Sequence, residues 1–508
     1  GNTAVGHNAL NANVDGDNNT AIGYQALFSM EPADGSSGNT GLGFQAGYGI
    51  SSGVYNTAIG AYALDAHPGT AAYNTAVGHK ALTTVTSGGN NTAVGESAMI
   101  SLSTGEQNVG IGRDALYTNQ QGDNSIAIGN NTLHNQNPSG NVNMYNVAVG
   151  HAAGYAVTTG THNVVVGGLA GDAINTGSQN TALGHQALSA QTSNGASTAI
   201  GYIAAANNTA ANTTAVGSHC MATNAGGDGN SAFGHAALYS CAENDRNTAI
   251  GYASLYSYVE AGATSEGDNT AVGYNAGNGI SVGHSNTAVG SYALDAASGT
   301  GDYNTALGSN AMTSNTSGTE NTALGYKTLN TTTTGTHNVA VGSNALYTNL
   351  DGGQNVAVGE KALYLNSTGD QNVAMGTLAL YNNIVNANTA VGFNAAVGNT
   401  DGLYNTAFGY QALNTNTQGD GNTAIGYKAL YTANPTADTG NSTAVGNLAG
   451  EDLSSGVNCV FVGRNAGSDV TSASYQVAIG TDALALQTTG EKNTAIGYQA
   501  LYDANHAD

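Results

Sequence analysis

The phrase Asn2-Thr3-Ala4-Val5-Gly6 returns, with substitutions, as far as Asn493-Thr494-Ala495-Ile496-Gly497, and nothing else in the chain constrains its fold as tightly. Its closing glycine marks 29 copies, and 20 of the 28 steps between successive markers have the same length as the first, from Gly6 to Gly23. A lap of that size is too short for a helix-containing repeat and carries no heptad. It suits one coil of a parallel β-solenoid, in which equivalent residues stack from coil to coil. The expectation is an all-β chain: one continuous β-solenoid or β-roll of about 29 coils over residues 1–508, overriding the three or four globular domains that the length alone would suggest.

Counting backwards from the marker glycine, each position has its own rule. Minus one is apolar in all 29 copies, and minus three is Thr in 19 and otherwise Val, Ile126 or Ser231. The two share a parity, so in a strand they lie on one face. Their apolar and β-branched character predicts that this face is the interior. Minus two, Ala in 25 copies, then faces away from the core. A small residue kept on an outer face implies a second surface lying close against it, which makes Ala4, Ala21, Ala58, Ala76, Ala93, Ala249, Ala271, Ala288, Ala424 and Ala495 candidates for an intersubunit ladder. Minus four is Asn in 23 copies, a corner residue whose amide can bond the backbone or the Asn one rung away. After the glycine, plus three is Ala in 25 copies and plus four is usually Leu, with Gly47, Gly154, Gly171, Gly277, Gly450 and Gly467 as the common alternative. Two short strands and two turns per lap are expected.

Composition fits an elongated array better than a globular enzyme. Gly accounts for 74 of 508 residues, Trp is absent and only 8% of residues are charged, yet 40% are hydrophobic, too many for a disordered linker. With 32 acidic and 8 basic residues the formal charge is −24, which disfavours nucleic acid and anionic membranes as partners. No run is long enough to cross a bilayer as a helix. Cys220, Cys241 and Cys459 have no metal-ligand spacing and are expected to be reduced, packed thiols.

Departures from the repeat mark individuality. Pro32, Pro68, Pro138 and Pro435 all fall in laps longer than the common one, as expected of loops bulging from a corner. The longest laps contain 135–140 and 258–263. Tyr62-Ala63-Leu64-Asp65-Ala66 reappears as Tyr292-Ala293-Leu294-Asp295-Ala296, an echo that points to block duplication. Gly1 opens inside a lap, so more chain is expected before it, and uncapped ends raise the alternative of a filament subunit that stacks end to end through open coils.

Candidate chemistry is sparse. His7, His79, His151, His185 and His235 recur at plus one, but the same position holds Tyr24, Tyr202, Tyr252, Tyr274, Tyr326, Tyr410, Tyr427 and Tyr498, so ring packing explains them better than metal binding. Those tyrosines are the candidate ligand contacts, since Tyr offers a flat face and a polar tip to a sugar. Acidic corners such as Asp15-Gly16-Asp17 and Gly226-Gly227-Asp228-Gly229 lack the spacing of calcium loops and read as solvated turns. A Thr ladder raises ice binding, against which stands its assignment to the interior. No nucleophile triad, carboxylate pair or phosphate loop stands apart from the repeat. The reading is a non-enzymatic protein with no cofactor and no catalytic or metal residues.

Asn124-Ser125-Ile126-Ala127-Ile128-Gly129 and Asn441-Ser442-Thr443-Ala444-Val445-Gly446 resemble the head repeat of trimeric autotransporter adhesins, a haemagglutinin-type β-roll. The commoner form, as in 422–431, is more similar still to arrays in phage tail-fibre-like proteins of the kind that carry an endosialidase-type chaperone. The resemblance covers essentially the whole chain. It implies a left-handed roll and an extracellular homotrimeric fibre on a cell surface or virion, a shaft that presents a receptor-binding surface to a host glycan or protein. A carbohydrate- or ice-binding solenoid is a second alternative.

Overall fold

In a computed structural model of the chain, residues 1–31, 35, 37–66, 69–241, 244–258, 267–296, 299–436, 439–488 and 490–503 are described. They form an all-β parallel β-solenoid with no helix, one turn to each lap of the repeat. The chain divides into two compact units, the first built on Gly1–Asn247 and the second on Thr248–Tyr258 with Glu266–Asp508.

Within each unit the architecture is a stack of three-residue strands, each ending just before a marker glycine. The first unit holds fourteen, from Thr3–Val5 to Ser231–Phe233, and the second fifteen, from Thr248–Ile250 to Thr494–Ile496. A two-residue parallel pair, Gly122–Asp123 with Val142–Asn143, is added in the first. Pairing is parallel and in register, so that Thr406, Ala407 and Phe408 lie beside Thr423, Ala424 and Ile425. Each marker glycine closes the ladder, as when the Gly426 N–H donates to the Phe408 carbonyl at 2.8 Å.

The expected second strand does not form among the described residues. In its place the lap turns through left-handed residues at plus two and plus four, for example Gln25 at φ 54° and Leu27 at φ 48°. Such residues cost about 1–2 kcal/mol each in isolation. Here they let the backbone bond alternately to both neighbouring laps: the Gln25 N–H donates to His7 O at 2.9 Å and the Leu27 N–H to Ala46 O at 3.0 Å. Glycine at plus four, as at Gly47 (φ 66°), fits because it adopts this conformation freely.

The inside and the outside of the strands are the reverse of the sequence expectation. The middle residue, minus two, is buried in every ladder strand but Thr3–Val5, whereas the flanking Thr and Val or Ile are half-buried or exposed. Ala21, Ala58, Ala76, Ala93, Ala249, Ala271, Ala288 and Ala424 have no exposed area, and Ala495 is buried too. They fill the chain's own interior and offer nothing to a sister chain; Ala4 lies in the exposed strand Thr3–Val5. The physical reason is width. The facing wall supplies Ala at plus three and Leu at plus four, both buried, and where plus four is Leu the gap between the walls accommodates little more than a methyl group; the larger Val165 and Phe461 at minus two lie beside glycines at plus four. Two exceptions demonstrate the limit. Gly41 and Gly110 replace Ala at minus two, and a β-carbon there would meet Leu27 Cγ or Met99 Cε at 2.9 Å.

The remaining interior is polar and ordered. The minus-four asparagines, except Asn2 and Asn493, are buried and bond from lap to lap: the Asn422 N–H donates to Asn405 Oδ1 at 3.0 Å, and the Asn405 N–H to Asn388 Oδ1 at 2.9 Å. A second buried column sits at plus seven, including Asn349, Asn366, Asn383, Asn399 and Asn416, with Asn416 Nδ2 donating to Asn399 Oδ1 at 3.0 Å. The two columns touch where Asn388 Nδ2 donates to Asn383 Oδ1 at 3.0 Å. Laps with glycine at plus four place an apolar residue at plus seven instead, as in Ile50, Val157, Ile174, Ile280, Leu453 and Val470. Pro138 and Pro435 do not bulge outward. Both are buried, their rings 3.1 and 2.5 Å from where a β-carbon on Gly122 or Gly419 would be. Pro32, Pro68 and residues 259–263 lie outside the described residues.

Candidate interaction face

Reversing the strands turns Thr at minus three and Val, Ile or Leu at minus one into two parallel outward rows. Each three-residue strand presents both, and the in-register pairing lines them up along the stack. Exposure at minus one is substantial: Ile22 39%, Leu42 44%, Phe233 42% and Phe408 56%. Minus five borders the rows with polar or aromatic side chains held in the left-handed region, such as Tyr55, Gln107 and His337. The shallow recess between minus five and minus three is lined by Gln107, Val109, Asn124, Ile126, Tyr145 and Val147. Charge is nearly absent from the two central rows, so the face is an apolar and hydroxyl-bearing strip flanked by polar and aromatic edges.

The plus-one aromatics are exposed as a candidate ligand surface requires: Tyr24 44%, Tyr202 51%, Tyr252 50%, Tyr274 47%, Tyr326 50%, Tyr410 45%, Tyr427 45% and Tyr498 72%. Many of their faces are already covered. Tyr24 stacks on Phe44 with centroids 5.2 Å apart, Tyr252 on Tyr274 at 5.3 Å, and Tyr410 on Tyr427 at 5.3 Å. His7 stacks on Tyr24 at 5.4 Å and His185 on Tyr202 at 5.7 Å, the ring packing expected at this position. A sugar stacking on a ring face needs that face free, and within these columns each ring presents mainly its edge. A second aromatic column at plus five is equally regular, with Tyr347, Tyr364 and Tyr381 spaced by 5.1 Å. Lys428 links the two columns, its Nζ 5.7 Å from the Tyr427 centroid, 4.9 Å from that of Tyr431 and 3.5 Å from Glu451 Oε1.

The acidic corners use their oxygens on neighbouring backbone. Asp228 Oδ1 accepts the Ala211 N–H at 2.8 Å, and Asp245 Oδ1 in turn accepts the Asp228 N–H at 2.8 Å. Among the described residues no group of three or more His, Cys, Asp or Glu is placed to hold a metal ion, and no described helix is long and apolar enough to cross a membrane. Cys220, Cys241 and Cys459 are free and buried. Burial pushes the Cys220 and Cys241 thiols up to about 12, and Cys459 also upward, away from the nucleophilic thiolate form.

No protein-family model matches the chain, and no curated protein sequence does. The functional reading therefore stands on the repeat and on this face.

Proposed function

We propose that the chain is the shaft of a non-enzymatic extracellular fibre, in which three copies bury their outward Thr and Val/Ile rows against one another. The observation that carries this is the unpartnered strand face. Over the fourteen strands of the first unit, two rows of side chains about 7 Å apart with a rise of about 4.8 Å per lap cover roughly 450 Å² in flat projection. One row of the strip is apolar and the other largely threonine, and its size is that of the largest patch on a typical monomer, a patch that is often functional, which supports an association surface. The partner must match a period of one lap, and another copy of the same chain supplies that period without further design. The number three, the left-handed coil and the surface location come from the resemblance to adhesin heads and tail-fibre arrays, as does presentation of a receptor-binding region. Sedimentation equilibrium and light scattering on the purified chain test the proposal: a trimer is expected, and a stable monomer at micromolar concentration would sink it.

A second reading draws on the same outward face. Outward threonine hydroxyls repeat once per lap along the stack, a regular array able to order water, and the objection that they point inward no longer applies. The two readings exclude each other on one surface. Thermal hysteresis from a monomer supports the ice reading, and a trimer without hysteresis supports the fibre.

A further inference from the structure

A face made of identical rungs has a defect as an association surface. Sliding one copy by a single lap exchanges every contact for an equivalent one and loses only the terminal rung, so a purely periodic strip leaves register almost unspecified. Something aperiodic on the strip must select one alignment.

The minus-three row provides it. Nine of the 29 copies carry Val or Ile there in place of Thr or Ser, and none of the nine stands alone. Val109, Ile126, Val147 and Val164 occupy four consecutive rungs of the first unit. In the second unit Val339, Val356 and Val373 occupy three, and Val460 and Val477 two. All nine are half-buried or exposed in the single chain, with Ile126 at 37%, Val164 at 42% and Val339 at 39%. Because minus one is apolar throughout, these rungs carry two apolar side chains side by side where the others carry one apolar and one hydroxyl. The recess described above lies on the first run.

We infer that the hydroxyl-free runs fix the register in which copies of this chain align, parallel and with like rungs level, each run burying against its own counterpart. The inference rests on the proposed association through this face and adds what specifies its alignment. When runs coincide, valine meets valine. After a slip of one lap, one end of each run places a threonine hydroxyl against apolar side chains, where it has no hydrogen-bond partner. Each run thus penalises every shift, and the four-rung and three-rung runs differ in length, so one cannot substitute for the other.

The test is a distance measurement between copies. Ser317→Cys and, separately, Ser87→Cys place one reactive thiol on an exposed turn residue of each unit, while the three native cysteines stay buried. Pulsed electron paramagnetic resonance on the spin-labelled, associated chain is expected to give one narrow distance. In a variant with Val109→Thr, Ile126→Thr, Val147→Thr, Val164→Thr, Val339→Thr, Val356→Thr, Val373→Thr, Val460→Thr and Val477→Thr, the distribution is expected to broaden towards longer distances, since each lap of axial slip adds in quadrature to the lateral separation. Threonine is the commonest residue at this position, and an unchanged circular dichroism spectrum confirms that the variant still folds. A variant that stays associated with the same narrow distance overturns the inference while leaving the fibre reading intact. A folded variant that dissociates also overturns it, since the runs would then supply affinity rather than alignment. A monomeric parent chain removes both readings together.

Discussion

The ring of Phe461 occupies the volume that a side chain on Gly467 would need: a β-carbon on that glycine would lie 2.4 Å from Phe461 Cε1. Gly450, at the equivalent place one lap earlier, stands in the same relation to the other ring edge, at 2.6 Å from Cδ2. Phe461 is the one aromatic at minus two, and both glycines replace the usual Leu at plus four. One wall of the coil has grown inward where the other has receded, so that the volume between them is conserved.

The first prediction follows from that exchange. Phe461→Ala is expected to cost about 3–5 kcal/mol through the cavity it leaves. Adding Gly450→Leu and Gly467→Leu restores the residue pair found in most laps and should recover much of the loss, whereas Gly467→Leu alone is destabilising. Denaturant midpoints of the four proteins check this, and strictly additive effects would show that the two walls do not share the space.

The reversed strand faces give a second prediction. Ala424→Leu forces extra volume into a filled interior and is expected to cost about 1–3 kcal/mol. Ile425→Thr, one residue on and 38% exposed, should leave the thermal midpoint of the single chain nearly unchanged and weaken self-association instead. Thermal melts paired with sedimentation separate the two effects.

A third concerns the asparagine column. Asn405 Nδ2 donates to the Gly419 carbonyl at 2.8 Å, and its Oδ1 accepts the Asn422 N–H at 3.0 Å. Asn405→Ala removes both partners inside a dry interior, at about 1–3 kcal/mol for each group orphaned. Hydrogen exchange should show the Asn422 amide losing protection first, with the damage fading over the next laps.

The fourth is a pH dependence. Burial raises the carboxyls of Asp65 and Asp295, the pair related by the internal echo, from 3.8 to about 6. Between those values the folded chain holds protons that the unfolded chain has released, so stability falls as pH rises from about 4 to about 6 and is level above that. Both groups are half exposed, which keeps the effect modest. Asp65→Asn with Asp295→Asn should flatten the dependence of the thermal midpoint across that window.

The fold was legible because translation by one lap forces the same residue into the same environment each time, and periodicity records this directly. Parity was equally secure: Thr406 and Phe408 do share a face, and Ala407 does oppose them. What hydrophobicity could not decide was which face is inside. In a globular core large apolar residues mark the interior, but this coil is narrow enough that its strands admit alanine, and the larger residues are displaced outward. A signal was present in the pairing of Phe461 with two glycines, which makes sense only if minus two and plus four face each other. The interchange of Leu and Gly at plus four likewise reported the left-handed backbone that replaces the second strand, since glycine is favoured there for its conformation. The tyrosines of the candidate surface are exposed, but that faces such as those of Tyr252 and Tyr274 are covered by a neighbouring ring depends on the rise per lap, which composition does not encode.

The column of marker glycines has a consequence for how such a chain changes over generations. A β-carbon on Gly23 would come within 2.2 Å of the Gly43 carbonyl oxygen, and Gly184 stands the same way to Gly201. Single substitutions there are blocked by the adjacent lap itself. A whole lap of the common kind, however, can be inserted or deleted between two markers flanked by laps of that kind while keeping the contacts that most laps already make. Inheritance is therefore strict about individual letters at these sites and permissive about the number of complete verses, so related chains are expected to differ in their count of laps far more readily than in the glycines that separate them.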